Sequence, residues 1–439
     1  MSRRLVALLA VGALVAGLVP APVTAQAPSG NVVRERLENG LTVIIRENPL
    51  APVVAVSLLV AMGSRWEQPP TAGISNFVHA VMVKGTRKRS GSEIADAVAA
   101  MGGKISASGD VDYSGISGTA LSRFWRDLLT LTAELALEPV LSADEVERER
   151  EWLLSRIQRR RDNPSSRAFD EFYAALYGTH PYALPSLGTP DSLKRIDHPA
   201  IVDTYRANYR ADRMTLAVSG QVNAAEVVGE VRRLFGGMPS GPAVADPAVP
   251  APTASGKRIV IEQAAQQAQI LTGGLAPALD HPDHAAVKVL STVLGGGMAG
   301  RLFAELRDKQ GLAYAASAFY DPVREPGALI LYLGTSPESA AGAEAALMKE
   351  VARVRTEAVG AEELLRAKGF LLGNYEMDRR TNARQAWYLA FYAVERVGND
   401  FPERYRRAVQ AVTAADVRRV AQTYLSTPTT VVLRPPGAR

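Results

Sequence analysis

The chain repeats itself loosely about a break in its middle, and that repetition restricts its fold more than anything else in it. Val202, Tyr205 and Tyr209, followed by Thr215-Leu216-Ala217-Val218, are answered at a constant offset by Val417, Val420 and Tyr424, followed by Thr430-Val431-Val432. Each copy reads as a helix and then a strand. Leu41-Thr42-Val43-Ile44-Ile45 opens the first copy as a strand and Arg258-Ile259-Val260-Ile261 opens the second, with further strands expected at 53–60 and 269–274. Between the copies, residues 236–256 are dense in Pro, Gly, Ala and Ser with one charged side chain, which reads as an extended linker. Self-similarity at half-chain length predicts a duplication, hence two α+β halves. The expected division is 28–236, a linker at 237–256, and 257–439.

The 439 residues are too many for one ordinary core, in agreement with two halves. Apolar content of 47% against 22% charged residues describes a globular chain. The formal charge of +5 is small for this length and no basic run is interleaved with aromatics, so nucleic acid is not an expected partner. The absence of Cys removes disulfides, thiolate metal sites and thiol nucleophiles together. At the N-terminus, Arg3-Arg4, an apolar run over 5–19 and Ala25-Gln26-Ala27 have the order of a secretory signal peptide over 1–27. The run is shorter than the ~20 residues of a spanning helix. The mature chain is therefore expected in the periplasm, with no membrane span.

Two helix starts carry their own signals. Ser90 followed by Glu93 is a capping box, and Gly102-Gly103 suits the other end. Ser142 and Glu145 open a long charged helix that Asn163-Pro164 should stop.

The stretch 73–86 (GISNFVHAVMVKGT) resembles the zinc-site region of the insulinase/pitrilysin family, which includes the mitochondrial processing peptidase. The family has an H-x-x-E-H helix, then a Lys-Gly-Thr turn, a helix and a Gly-Gly pair. Lys84-Gly85-Thr86, Ser92-Glu93-Ile94 and Gly102-Gly103 fall in that register. Val146-Glu147-Arg148-Glu149 resembles the acidic helix that carries the third ligand, and 294–314 (LGGGMAGRLFAELRDKQGLAY) matches the Gly-rich stretch and Arg/Tyr pair of the second half. The resemblance implies two homologous α/β-sandwich halves that form a clamshell over an unfolded peptide.

Residue by residue, the two His positions of that motif are Asn76 and Ala80, the general-base position is His79, and the third ligand position is Arg156. A catalytic zinc needs three protein ligands and a place for water. Ala80 has no donor atom, an Asn amide is a poor ligand beside imidazole or carboxylate, and a guanidinium repels a cation. A registration that placed Glu149 or Glu151 at the third position would restore one ligand, still too few. No metal, no cofactor and no catalytic residue is expected of this chain itself. His79 is expected to be packed or hydrogen-bonded.

What the resemblance leaves intact is Arg307 and Tyr314, matching the pair that holds substrate opposite the zinc in active members. A cationic fork and a phenol suit a peptide carbonyl or a developing oxyanion. The plainer alternative pairs Arg307 with Glu305 or Asp308 and packs Tyr314. His281 and His284 read as surface or capping residues, His180 and His198 as loop residues, and Gly295-Gly296-Gly297 as a tight turn or a close backbone approach. The expected role is a non-catalytic subunit, with zinc in an active peptidase partner and an unfolded peptide as the shared substrate. The alternatives are a stand-alone peptide-binding or chaperone-like protein, or a structural subunit.

Overall fold

A computed structural model describes residues 31–241, 246–252 and 256–437. The segment read as a signal peptide and parts of the linker lie outside the described residues. Among the described residues eleven strands form two sheets. The first contains β1 (Val32–Arg36), β2 (Thr42–Glu47), β3 (Val53–Val60), β4 (Lys104–Gly109), β5 (Ser114–Leu121) and β6 (Met214–Gly220), in the order β1-β2-β6-β3-β5-β4. The second contains β7 (Arg258–Glu262), β8 (Ala268–Ala276), β9 (Ala315–Asp321), β10 (Gly327–Thr335) and β11 (Thr429–Arg434), in the order β7-β11-β8-β10-β9. The one parallel neighbour pair of each sheet is equivalent, β2 with β6 and β7 with β11. Every other pairing is antiparallel. Apart from β1 on its edge, the first sheet has the topology of the second, which is the duplication expected from the sequence.

The central strands are apolar on both faces, and the reason is an exchange of helices. Along β3, Val54, Val56, Leu58 and Val60 point into the main N-terminal core, while Ala55 and Leu59 point the other way. That second face is covered by the helix Asn382–Val394 of the C-terminal half, through Ala386, Ala390 and Val394. Small residues allow the helix to lie close to the strands. Asn382 fixes its start: the side chain donates to Val53 O (2.9 Å) and accepts from the Asn48 amide (2.8 Å) and the Ser219 hydroxyl (3.2 Å).

The second sheet receives the reciprocal cover. Helices of the first half include α1 (Ile74–Met82), α2 (Gly91–Ala100), α3 (Trp125–Leu137), α4 (Ala143–Asp162) and α5 (Pro164–Tyr177). On α5, Ala168, Phe172 and Leu176 lie on one face and pack on Leu271, Ala328, Ile330, Val431 and Leu433 of β8, β10 and β11. Tyr173 reaches across to Asp321 (2.6 Å) and Tyr177 to Pro326 O (3.0 Å). Each half thus completes the core of the other.

The expected caps are present. The Ser90 hydroxyl accepts from Glu93 N and the Glu93 carboxylate accepts from Ser90 N, while Ser142 caps α4 and Asn163 ends it. Gly295 needs its missing side chain, because a Cβ there would meet the backbone of Ala318 on β9. Among the described residues no helix is long and apolar enough to cross a membrane.

Candidate functional site

The helix α1 carries the positions that matter, and its start is set by a buried carboxylate. Glu67, at the end of a short turn after β3, accepts from Gly73 N (2.6 Å) and Ser75 N (2.9 Å). These are otherwise unpaired N–H groups of a helix start, where negative charge is favoured. Burial still pushes the Glu67 carboxyl above its ordinary range, against those hydrogen bonds. Gly73 adopts φ +88°, and a Cβ there would collide with the backbone of Gly188, so the turn into α1 requires glycine.

Within α1, His79 is fully buried. Its Nδ1 lies 2.7 Å from Ser75 O and its Nε2 lies 2.6 Å from Tyr209 Oη. A carbonyl can only accept, so the proton sits on Nδ1 and the Nε2 lone pair accepts from the phenol. Burial pushes the imidazole down to about 4, which leaves it neutral at pH 7. Burial also drives the Tyr209 phenol well above its ordinary value, so it remains a donor. The one nitrogen that could ligate a metal is therefore already occupied by a proton donor.

Asn76 and Ala80 are half-buried on the same helix, with the Asn76 backbone against Gly109 at the end of β4. The helices α1 and α4 pack together. Arg150 of α4 lies over the Phe77 ring, 5.4 Å from its centroid. Arg156 lies over Trp152, one turn earlier on α4, at 4.7 Å. Of the two alternative third-ligand positions, Glu149 is buried and paired with Lys84 of the Lys-Gly-Thr turn, and Glu151 is exposed. An amide, a methyl group, a guanidinium and an imidazole with both nitrogens engaged do not fit a metal ion. Among the described residues no group of three His, Asp or Glu side chains could hold one.

Arg307 and Tyr314 stand elsewhere, on the second sheet's side. Arg307 belongs to the wide-turn helix Leu302–Lys309, which packs on β9, and Tyr314 immediately precedes β9. Arg307 is exposed and lies over Phe303 at 4.6 Å; Glu305 is taken by Lys309 (2.8 Å). Tyr314 is 61% exposed, and its backbone N–H donates to Gly334 O. The plainer expectation of a packed tyrosine is not met: the phenol points to solvent.

Two histidine expectations are corrected. His284 is not a surface or capping residue: it is buried among Tyr320, Phe401 and Tyr405, and burial lowers it to about 3. The apolar run that follows it in Ala285-Ala286-Val287 gave the signal, since His284 shares that helix's inward face. His198 is not in a loop but begins the helix His198–Asn208 and lies 2.7 Å from Leu141 O through Nε2. His281 accepts from Asp283 N and His180 from Tyr182 N, both as local caps. In the sequence Tyr209 shows only as part of the repeat, and nothing local marks Glu67 as the carboxylate that starts α1.

Comparison with known proteins agrees with this fold. Residues 42–190 match the family model "Insulinase (Peptidase family M16)" and residues 195–371 match "Peptidase M16 inactive domain". An uncharacterized zinc protease of Mycobacterium leprae is 31% identical over 79% of this chain and 79% of its own length. One from Rickettsia bellii is 26% identical over 91% of this chain and 97% of its own. The crystal structure of a peptidase M16 inactive domain from Pseudomonas fluorescens superposes with a TM-score of 0.86 at 25% identity, covering 93% of this chain and 99% of that one. A protease from Helicobacter pylori shares the fold with a TM-score of 0.86 at 22% identity, covering 92% of this chain and all of that one. The chain belongs to the insulinase family, peptidase family M16, as a non-catalytic member.

Proposed function

We propose that this chain is the non-catalytic subunit of a secreted, periplasmic zinc-peptidase complex, completing the peptide cleft of an active partner. The observation that carries the reading is the split between its two functional regions. The metal side is closed, with His79 locked between Ser75 and Tyr209. The substrate side is open, with Arg307 and Tyr314 both presented to solvent. Side chains kept for packing would be covered; these are free to meet a peptide or another chain. In this reading zinc resides in the partner, unstructured peptides are the shared substrate, and residues 1–27 direct export. The boundaries 28–236 and 257–439 are the proposed halves, joined by the 237–256 linker.

The test is reconstitution with a relative from the same genome that has an intact H-x-x-E-H helix. The two chains should co-elute, and addition of this chain should raise cleavage of an unstructured fluorogenic peptide. Zinc-dependent cleavage by this chain alone overturns the reading. So does a relative that is equally active without it and never co-elutes with it. Peptide binding by the isolated chain in that second case would favour a stand-alone binding protein.

A further inference from the structure

Between the two halves lies a cavity of about 570 Å³, and none of the metal-site positions nor Arg307 or Tyr314 lines it. One wall is a face of the helix Asn382–Val394. Residues four apart share a face, so Trp387 and Phe391 lie one above the other, stacked at 4.7 Å, and Glu395 follows at the helix end. The neighbouring face of this helix is the one that packs Ala386, Ala390 and Val394 on the first sheet. Tyr113, from the turn between β4 and β5, meets Trp387 and Phe391 edge-on at 6.1 and 5.6 Å. The result is an aromatic wall that leads to a carboxyl group.

That carboxyl group is the unusual feature. Glu395 is 6% exposed and lines the cavity, yet among the described residues neither of its oxygens has a hydrogen-bond partner. A buried carboxylate without a donor is costly. It also stands at the C-terminal end of a helix, where the backbone carbonyls favour positive charge. The lining carries five carboxyl side chains and two basic ones. Both basic groups are already engaged, Arg384 with Asp378 (2.6 Å) and Lys288 with Tyr320 O (2.8 Å). Asp112 is likewise taken, accepting from Tyr182 and from Arg324 N. Glu395 is left as the acceptor without a donor.

We infer that this cavity is a binding site for a small organic ammonium ion with an apolar body, the ammonium directed at Glu395 and the body held against Trp387, Phe391 and Tyr113. Aromatic faces attract cations, more so in a desolvated site, and the wall already holds Arg384 over the Trp387 ring at 4.5 Å. The volume suits a ligand of that class. Its lining comes from this chain alone and shares no residue with those assigned to the proposed peptide cleft, so it requires no partner subunit.

The experiment titrates phenethylammonium chloride into the isolated full chain by calorimetry at pH 8, where an alkylammonium is charged. The neutral isostere 2-phenylethanol serves as the control. Saturable binding at one site per chain is expected, with the alcohol and the Glu395→Gln variant each weaker by about tenfold or more, as befits a lost charge-assisted hydrogen bond. Because the alcohol comparison uses the unaltered protein, it stands even if Glu395→Gln does not fold. Absence of saturable binding to the unaltered chain overturns the inference. Equal affinity for the alcohol, or an unchanged affinity in folded Glu395→Gln, also overturns it.

Discussion

His79 Nε2 and Tyr209 Oη lie 2.6 Å apart in the N-terminal core, and this contact occupies the one imidazole nitrogen that could have met a metal. The partner of His79 is thus a residue 130 positions away, on the stretch between helix and strand that marks the internal repeat. Replacing Tyr209 by Phe leaves the buried Nε2 without a donor. The expected cost is about 1–3 kcal/mol, read from denaturant unfolding. A variant as stable as the parent would mean that the pair contributes nothing to packing.

The metal-site positions can be tested by restoring them. The chain with Asn76→His, His79→Glu, Ala80→His and Arg156→Glu together should take up zinc on dialysis, because α1 and α4 still pack together and Lys84 still ties their ends through Glu149. Elemental analysis of the folded variant decides it. Failure to bind zinc would show that the four positions are not those of a former site. Peptide cleavage need not return, since groups around the ligands also orient them.

The exchange of helices predicts one cooperative unfolding transition. Phe172 is fully buried against the second sheet although α5 belongs to the first half. Phe172→Ala should cost about 3–5 kcal/mol. It should lower a single transition followed by calorimetry, without splitting it. Two separate transitions in the parent chain would contradict a shared core.

Stability against pH should report Glu395. Burial first, and then the neighbouring Asp112 charge, raise its carboxyl to about 8, with Asp110 adding to the rise and Arg65 and Arg324 opposing it. Below the ordinary carboxylate range the group is protonated in folded and unfolded chains alike and costs nothing. As pH rises towards 8 the unfolded chain ionises while the folded one keeps its proton, so stability falls, by up to about 1.4 kcal/mol per pH unit. His79 and His284 act oppositely: both are held neutral by burial, so their cost appears as pH falls below 6.5. Between pH 6.5 and 7.5, above the histidines and below Lys288, which burial lowers to about 8, Glu395→Gln should flatten the decline seen in thermal melts of the parent. An identical slope in the variant would contradict the assignment.

Much of the fold was legible because it is written in local patterns. The strand 53–60 matches β3 residue for residue, and Ser90 and Ser142 cap the helices expected of them. The two equivalent α+β halves follow from the repeat, and the clamshell from the family resemblance. The helix exchange was not legible: the faces of α5 and of Asn382–Val394 are apolar in sequence, but nothing local says which sheet they cover. The same limit hid the cavity. Trp387, Phe391 and Glu395 share a helix face by spacing, but Tyr113 joins them only through the fold. His284 was misread because a polar residue near a helix start looks like a cap until its surroundings are known.

The most direct test of the account is the turnover of the reconstituted complex when this chain's Arg307 and Tyr314 are replaced. Both side chains are exposed and lie away from this chain's own core, so Arg307→Ala and Tyr314→Phe should leave folding and assembly intact. Each should lower peptide turnover by about 10-fold or more, with zinc content unchanged, as for removal of a group that assists the reacting carbonyl. Arg307→Lys should also be impaired, since an ammonium cannot reproduce the planar fork. Full turnover by an assembled complex carrying both Arg307→Ala and Tyr314→Phe would contradict the claim that this chain completes the cleft of an active partner.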